Sequence, residues 1–161
     1  MIEKATKWEE KRLTDIITFQ RGFDLPKKNF KDGIFPVVGS TGIIGYHNRF
    51  KVTPPGVVTG RSGTIGKYQF IKTQYWPHNT SLWVKDFKGS NELFIYYMLH
   101  ILNFNSLNAG SSVPTLNRNF LSSIKAKLPP LPTQQKIASI LGSYDNLIKN
   151  NLKRIQLLEE A

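Results

Sequence analysis

The chain has 161 residues, 40% of them hydrophobic and 12% aromatic, which is enough apolar material for one globular domain plus an extra element. Lys and Arg number 22 against 11 Asp and Glu, a formal net charge of +11, so an acidic solvating tail is excluded and a polyanionic partner is favoured over an anionic membrane surface. The absence of cysteine excludes disulfide scaffolds, thiol catalysis and Cys-ligated zinc. No apolar run reaches the roughly 18 residues that a spanning helix needs, and the N-terminus lacks an apolar signal core. The expectation is a soluble, basic, cytoplasmic protein with no membrane partner.

In chain order, Leu13 to Phe19 reads as a short helix with Thr14 at its N-cap and Gly22 as terminator. Short β-type runs follow at Phe35 to Val38, Ile43 to Tyr46, Val57 to Thr59, Tyr68 to Lys72 and Ser81 to Lys85, separated by Gly-, Pro- and Asn-containing turns. Glu92 to Phe104 is helical in pattern, capped by Ser90 or Asn91. Ser122 to Leu128 alternates and reads as a last strand. Three prolines within Leu128 to Thr133 then divide the chain. Residues 1–132 carry a net +10 and residues 133–161 a net +1, so the polyanion-attracting surface belongs to the first part.

Residues 133–161 give the clearest periodic signal. Thr133 reads as the N-cap, and Ile137, Leu141, Tyr144, Ile148, Asn151, Ile155 and Leu158 fall on an alternating four-three spacing. Ile140, Leu147 and Leu152 widen the stripe. A helix of that length is a rod of about 43 Å, too long to bury its whole stripe on a small domain, so a second helix is expected to cover it. Asn151 on the seam would fix register at a cost in stability. The competing reading is a helix folded back on its own domain. The fold class expected is α+β: a β-rich mixed domain (1–132) followed by a long C-terminal helix (133–161) in an antiparallel coiled coil.

Catalytic signatures are missing. Five residues, not four, separate Gly60 from Gly66-Lys67, and Tyr68 stands where a P-loop needs Ser or Thr. His47, His78 and His100 are scattered without a carboxylate cluster, so no metal site is expected. Thr53-Pro54-Pro55-Gly56 lacks the amide and the aromatic of an amino-methyltransferase motif. Basic charge interleaved with base-reading side chains remains. Arg21, Lys27, Lys28 and Lys31 form one cluster and Arg49, Lys51, Arg61, Lys67 and Lys72 another, with Gln20, Tyr46, His47 and Asn48 beside them. The glycine-rich stretches holding Ser40 and Thr41, and Arg61 and Ser62, read as tight turns or as loops whose backbone approaches phosphate. Ser111, Ser112 and Arg118 lie in a further polar loop able to add contacts.

The order of motifs resembles the specificity (S) subunit, HsdS, of type I restriction-modification systems. Trp8 with Leu13-Thr14-Asp15-Ile16 and Gly22 is similar to the opening of that family's target recognition domain. Pro36-Val37-Val38 with Gly39, Gly42 and Gly45-Tyr46 follows, then Val57-Val58 with Gly60-Arg61, Gly63 and Gly66, then Trp76-Pro77 with Asn79-Thr80-Ser81-Leu82. Phe94, Tyr97, Leu99, Gly110-Ser111-Ser112 and Pro114 continue the series. Leu128-Pro129-Pro130-Leu131-Pro132 with Gln134, Ile137, Ala138, Ile140 and Leu141 resembles the start of the conserved-region helix, with Thr133 in place of the commoner Glu. The resemblance extends to half a subunit: one recognition domain and one helical region.

It implies a non-catalytic reader of one half of a bipartite target in double-stranded DNA. It also implies a helical spacer that pairs with a second S half, as a homodimer or with another chain, and docks methyltransferase (M) subunits. No cofactor is expected on this chain; S-adenosylmethionine, ATP and Mg would sit on the M and restriction (R) subunits. A dimerisation and assembly scaffold without independent reading is the alternative, and a stand-alone nuclease or methyltransferase the enzymatic rival.

Overall fold

The structure, a computed structural model, describes residues 7–61, 66–102 and 118–160. Ser62, Ser111 and Ser112 lie outside the described residues, as do residues 103 and 104 at the end of the expected second helix.

Strand β1 (Glu9–Arg12) leads into a single helical turn, α1 (Leu13–Ile16), and then β2 (Thr18–Arg21). The helix expected from Leu13 to Phe19 is thus cut short. Ile16 and Ile17 are both buried, and Thr18 to Arg21 pair with a later strand; β-branched residues take the extended backbone readily once a partner strand is present. Thr14 is not the cap either: Arg12 occupies that position and grips Asp15 by its guanidinium, Nε donating to Oδ2 at 2.9 Å. After a short 3-10 turn (Lys27–Asn29) come β3 (Phe35–Gly39), β4 (Gly42–His47), β5 (Gly56–Gly60), β6 (Tyr68–Ile71), β7 (Trp76–Pro77) and β8 (Ser81–Asp86). Helix α2 (Glu92–Ile101), helix α3 (Arg118–Ser123), strand β9 (Lys125–Leu128) and helix α4 (Leu131–Glu159) complete the chain. The strand expected from Ser122 therefore begins at Lys125, its first two residues ending α3.

These strands form a four-stranded antiparallel sheet ordered β2-β8-β5-β6, a three-stranded sheet ordered β4-β3-β7, and a β1-β9 ribbon. Successive side chains of a strand point to opposite faces, and here both faces are covered. Val57, Leu82 and Val84 join a core with Phe94, Ile95, Met98 and Leu99 of α2. Val58 and Trp83, one residue along, pack with Val38 and Tyr75 on the opposite face. That explains the buried run through β5, where no polar alternation exists. Ribbon strand β1 escaped sequence reading because EEKR has no apolar alternation; backbone pairing with β9 and a Lys125–Glu10 ion pair at 3.1 Å hold it. Strand β7 is only two residues long.

Helix α2 starts as expected at Asn91, whose side chain accepts from the Phe94 N–H at 2.9 Å. Helix α4 spans 29 residues but begins at Leu131, with Pro130 in the cap position and no side-chain cap. Thr133 is therefore inside the first turn, and the expected boundary at 132 falls within the helix. Pro132 is the second helical residue and does not prevent the helix, because a first-turn N–H has no intrahelical acceptor to lose.

Gln134, only 3% exposed, locks this start in place. Its Oε1 accepts from the Asn91 N–H at 2.9 Å and its Nε2 donates to Pro129 O at 2.8 Å. One turn further, Ala138 is buried and Ile137 packs on the same core as α2. At Gly142 the two helices come so close that a Cβ would stand 3.2 Å from Leu93 Cδ2, and Tyr97 Oη donates to Asp145 Oδ2 at 2.7 Å. Beyond Asp145 every described residue of the helix is exposed. Folding back on the domain thus accounts for the first half of α4 only. Among the described residues, no helix is long and apolar enough to cross a membrane.

Candidate nucleic-acid interface

Antiparallel order brings four chain segments to one end of the four-stranded sheet. Strand β2 ends there at Arg21, β8 begins there at Ser81, β5 ends there at Gly60 and β6 begins there at Tyr68. The three-stranded sheet adds a fifth segment. The β3–β4 hairpin turns at Ser40 and Thr41, Gly39 facing Gly42 in the ladder, and the His78 N–H donates to Val38 O at 2.8 Å. The hairpin tip is thereby tied to the segment preceding β8, and Gln69 Nε2 of β6 reaches Gly39 O at 3.4 Å.

Arg21, Ser40, Arg61, Asn79 and Thr80 line a concavity of about 410 Å³ at this end. Its walls are bonded to one another. Arg21 Nε donates to Asn79 O at 3.2 Å, the Arg61 N–H donates to Thr80 O at 3.1 Å, and Asn79 Nδ2 donates to Asp24 Oδ1. Gly22 permits the arrangement, because a Cβ there would lie 2.1 Å from His78 O, a backbone atom that cannot swing aside. Lys27 lines an adjoining concavity of about 360 Å³ with Asp24, Ile44, His78 and Asn79. Lys28 follows it on the 3-10 turn, and Lys67 stands next to Tyr68 at the head of β6; both are exposed. The end thus presents planar guanidinium donors, ammonium groups, hydroxyls and an amide, which are the groups that bind phosphate and base edges. Asp24, its negative charge, is engaged by Asn79.

Other expected residues lie elsewhere. Gln20 is half-buried inside β2, opposite Trp83. Tyr46 and Asn48 sit at the far end of the β3–β4 hairpin, about 15 Å from its tip at the usual rise per strand residue. His47 between them is 6% exposed and stacked on Trp76 at 5.3 Å, its Nδ1 accepting from the Arg49 N–H at 3.0 Å. Strand alternation turns it inward, so it packs instead of facing a ligand. The second basic cluster divides for the same geometric reason: Arg49 stays with His47, Lys51 lies over the Phe23 and Trp76 rings, and Lys72 faces α4 in a groove with Tyr97 and Asp145. Arg118 opens α3.

Asn79 and Thr80 were missed as site residues. Their signal was a polar pair wedged between Trp76-Pro77 and the apolar β8, at the mouth of a strand.

A second surface is the exposed apolar face of α4. Ile140, Leu141, Tyr144, Leu147, Ile148, Leu152, Ile155, Leu157 and Leu158 are all exposed, whereas Ile137, expected on the same seam, is engaged by its own domain. Asn151 is exposed among them. No group of three or more His, Cys, Asp or Glu able to hold a metal ion occurs among the described residues.

The structure is a mixed sheet domain with a polar, basic pole, joined to a long helix that carries an exposed apolar stripe. The chain belongs to the type I restriction modification DNA specificity domain family, whose model matches residues 5–160. The MjaVIII type I restriction enzyme specificity subunit of Methanocaldococcus jannaschii is 34% identical over 76 residues, covering 46% of this chain and 18% of that one. In fold, the chain is similar to the type I S subunit from M. genitalium (TM-score 0.74, 14% identity, 93% of this chain and 42% of that one). It is similar also to the HsdS subunit from Thermoanaerobacter tengcongensis (TM-score 0.66, 14% identity, 89% of this chain and 38% of that one). The chain spans less than half the length of each of these relatives.

Proposed function

We propose that this chain is a non-catalytic DNA sequence reader that recognises one half of a bipartite target and holds methyltransferase subunits in place. The observation that carries this reading is the convergence of Arg21, Ser40, Arg61, Asn79 and Thr80 on one concavity, with Lys27 close by. Arg offers two parallel donors to guanine O6 and N7, Asn pairs with adenine in the same bidentate way, and Lys neutralises phosphate. The free stripe of α4 is the coupling surface. Two copies, or this chain and a second S half, pair their rods antiparallel and set the gap between half-sites. Methyl transfer and its S-adenosylmethionine belong to M subunits, and ATP and Mg to R subunits.

The stripe also favours a second reading, an assembly scaffold without independent sequence preference. Methylome sequencing of cells expressing the chain with its M subunit separates the two. A single bipartite motif supports reading; methylation without sequence preference supports the scaffold. DNA binding by the assembled complex across a salt series adds a second measure, since neutralised phosphates give a steep slope.

A further inference from the structure

We propose that Thr80 is a specificity-determining residue that accepts a hydrogen bond from the amino group of a DNA base, and that His78 is the positioning residue that fixes this polarity. The inference rests on the DNA-reading proposal and narrows it to one chemical choice at one position.

The argument is a chain of donors and acceptors. His78 Nε2 lies 3.2 Å from Leu25 O. A carbonyl oxygen only accepts, so Nε2 carries the hydrogen. In neutral imidazole Nδ1 is then a lone pair. Two groups converge on that lone pair, the Thr80 hydroxyl at 3.0 Å and the Thr80 backbone N–H at 3.4 Å. The backbone N–H can only donate, which independently assigns Nδ1 as acceptor. A threonine hydroxyl has one hydrogen, and His78 takes it. What Thr80 Oγ1 retains is lone pairs, and Thr80 is exposed on the wall of the concavity.

The anchor is rigid. The His78 N–H is bonded to Val38 O at 2.8 Å, and His78 O accepts from the Ser81 N–H at 2.9 Å and from the Ser81 hydroxyl at 2.8 Å. The imidazole is therefore held on both its backbone and its ring, and Thr80 cannot reverse its hydroxyl without losing the Nδ1 bond.

The chemical consequence is selective. Arg21 and Arg61 in the same wall are pure donors and suit guanine or phosphate. Thr80 supplies an acceptor among them. In the major groove adenine N6 and cytosine N4 are donors, whereas guanine O6 and N7 and thymine O4 are acceptors. An acceptor held beside a base edge therefore favours A or C over G or T at one position of the strand it faces. One hydrogen bond lost, and two acceptors opposed, give about a tenfold preference.

The test is the methylome of the chain with its M subunit, wild type against variants. Thr80→Val keeps the side-chain volume and removes the acceptor. The expected result is loss of the A-or-C preference at one half-site position, with the remaining positions still specified. Thr80→Ser is expected to restore that preference. His78→Leu should relax the same position, and His78→Asn, whose amide oxygen can stand where Nδ1 stood, should rescue it. Coincidence of the Thr80 and His78 effects at one position is a readout that a merely structural role would not produce. An unchanged motif in Thr80→Val overturns the inference. So does relaxation spread evenly over the half-site, or complete loss of methylation in Thr80→Val while Thr80→Ser remains active. A wild-type complex that yields no sequence motif at all instead refutes the DNA-reading proposal itself.

Discussion

Replacing Ile148 by Asp tests the proposed pairing surface while leaving the folded domain intact. Ile148 is 56% exposed and lies one turn beyond Asp145, whose carboxylate accepts from Tyr97 of the domain. Fully burying an Ile stabilises by roughly 1.5–3 kcal/mol, so covering the exposed part contributes about 1 kcal/mol per protomer. A symmetric pair loses that twice. Each buried carboxylate then adds a desolvation penalty of a few kcal/mol, unless it drags the rods apart. The expected loss is at least about 3 kcal/mol, or roughly a hundredfold weaker self-association. Sedimentation or light scattering over a concentration series measures it, and circular dichroism verifies that the helix persists. An oligomer of unchanged size and affinity would refute the assignment of this stripe to pairing.

Arg61→Ala should weaken DNA binding by the assembled complex about tenfold, because one charge-assisted contact disappears while the Arg61 backbone bond to Thr80 remains; titration of a duplex carrying the methylated motif reads this directly. Gln134→Ala should cost about 3 kcal/mol in a denaturant melt, since it leaves the Asn91 N–H and Pro129 O unpaired inside the protein. Stability should also fall as pH rises through about 10. Burial raises the phenols of Tyr68 and Tyr75 above their ordinary 10.0, and burial followed by the Asp145 carboxylate does the same for Tyr97. The unfolded chain gives up these protons near the ordinary value while the folded chain keeps them, so their contribution is complete below that pH and is lost above it. Urea melts from neutral to alkaline pH test the sign.

Much of the fold was legible because strands buried on both faces leave continuous apolar runs and the long helix leaves a four-three spacing. The β5 and β8 runs and the α4 stripe carried those patterns plainly. Elements held mainly by backbone pairing left none: Glu9 to Arg12 is charged throughout, yet it forms a strand because β9 offers a ladder. Thr14 and Thr133 have good capping chemistry, but caps depend on where a helix is forced to start. Packing of Ile16 and Ile17 decides the first, and the proline-led turn fixed by Gln134 decides the second. For the site, Arg21 and Arg61 could be nominated from charge, whereas their meeting with Asn79 and Thr80 depends on strand order, which is a long-range property. His47 has the composition of a contact residue, and alternation along β4 turned it toward Trp76.

The near-contact of α4 with α2 at Gly142 acts as the fulcrum of a lever. From there to Glu159 the helix extends about 25 Å. A side chain in place of that hydrogen would meet Leu93 Cδ2 at 3.2 Å, so either the leucine or the rod must give by a few tenths of an ångström. In a two-fold pair both levers would shift together. Whatever tilt a methyl group at this crossing produced would be felt most at the far, exposed end of the apolar stripe.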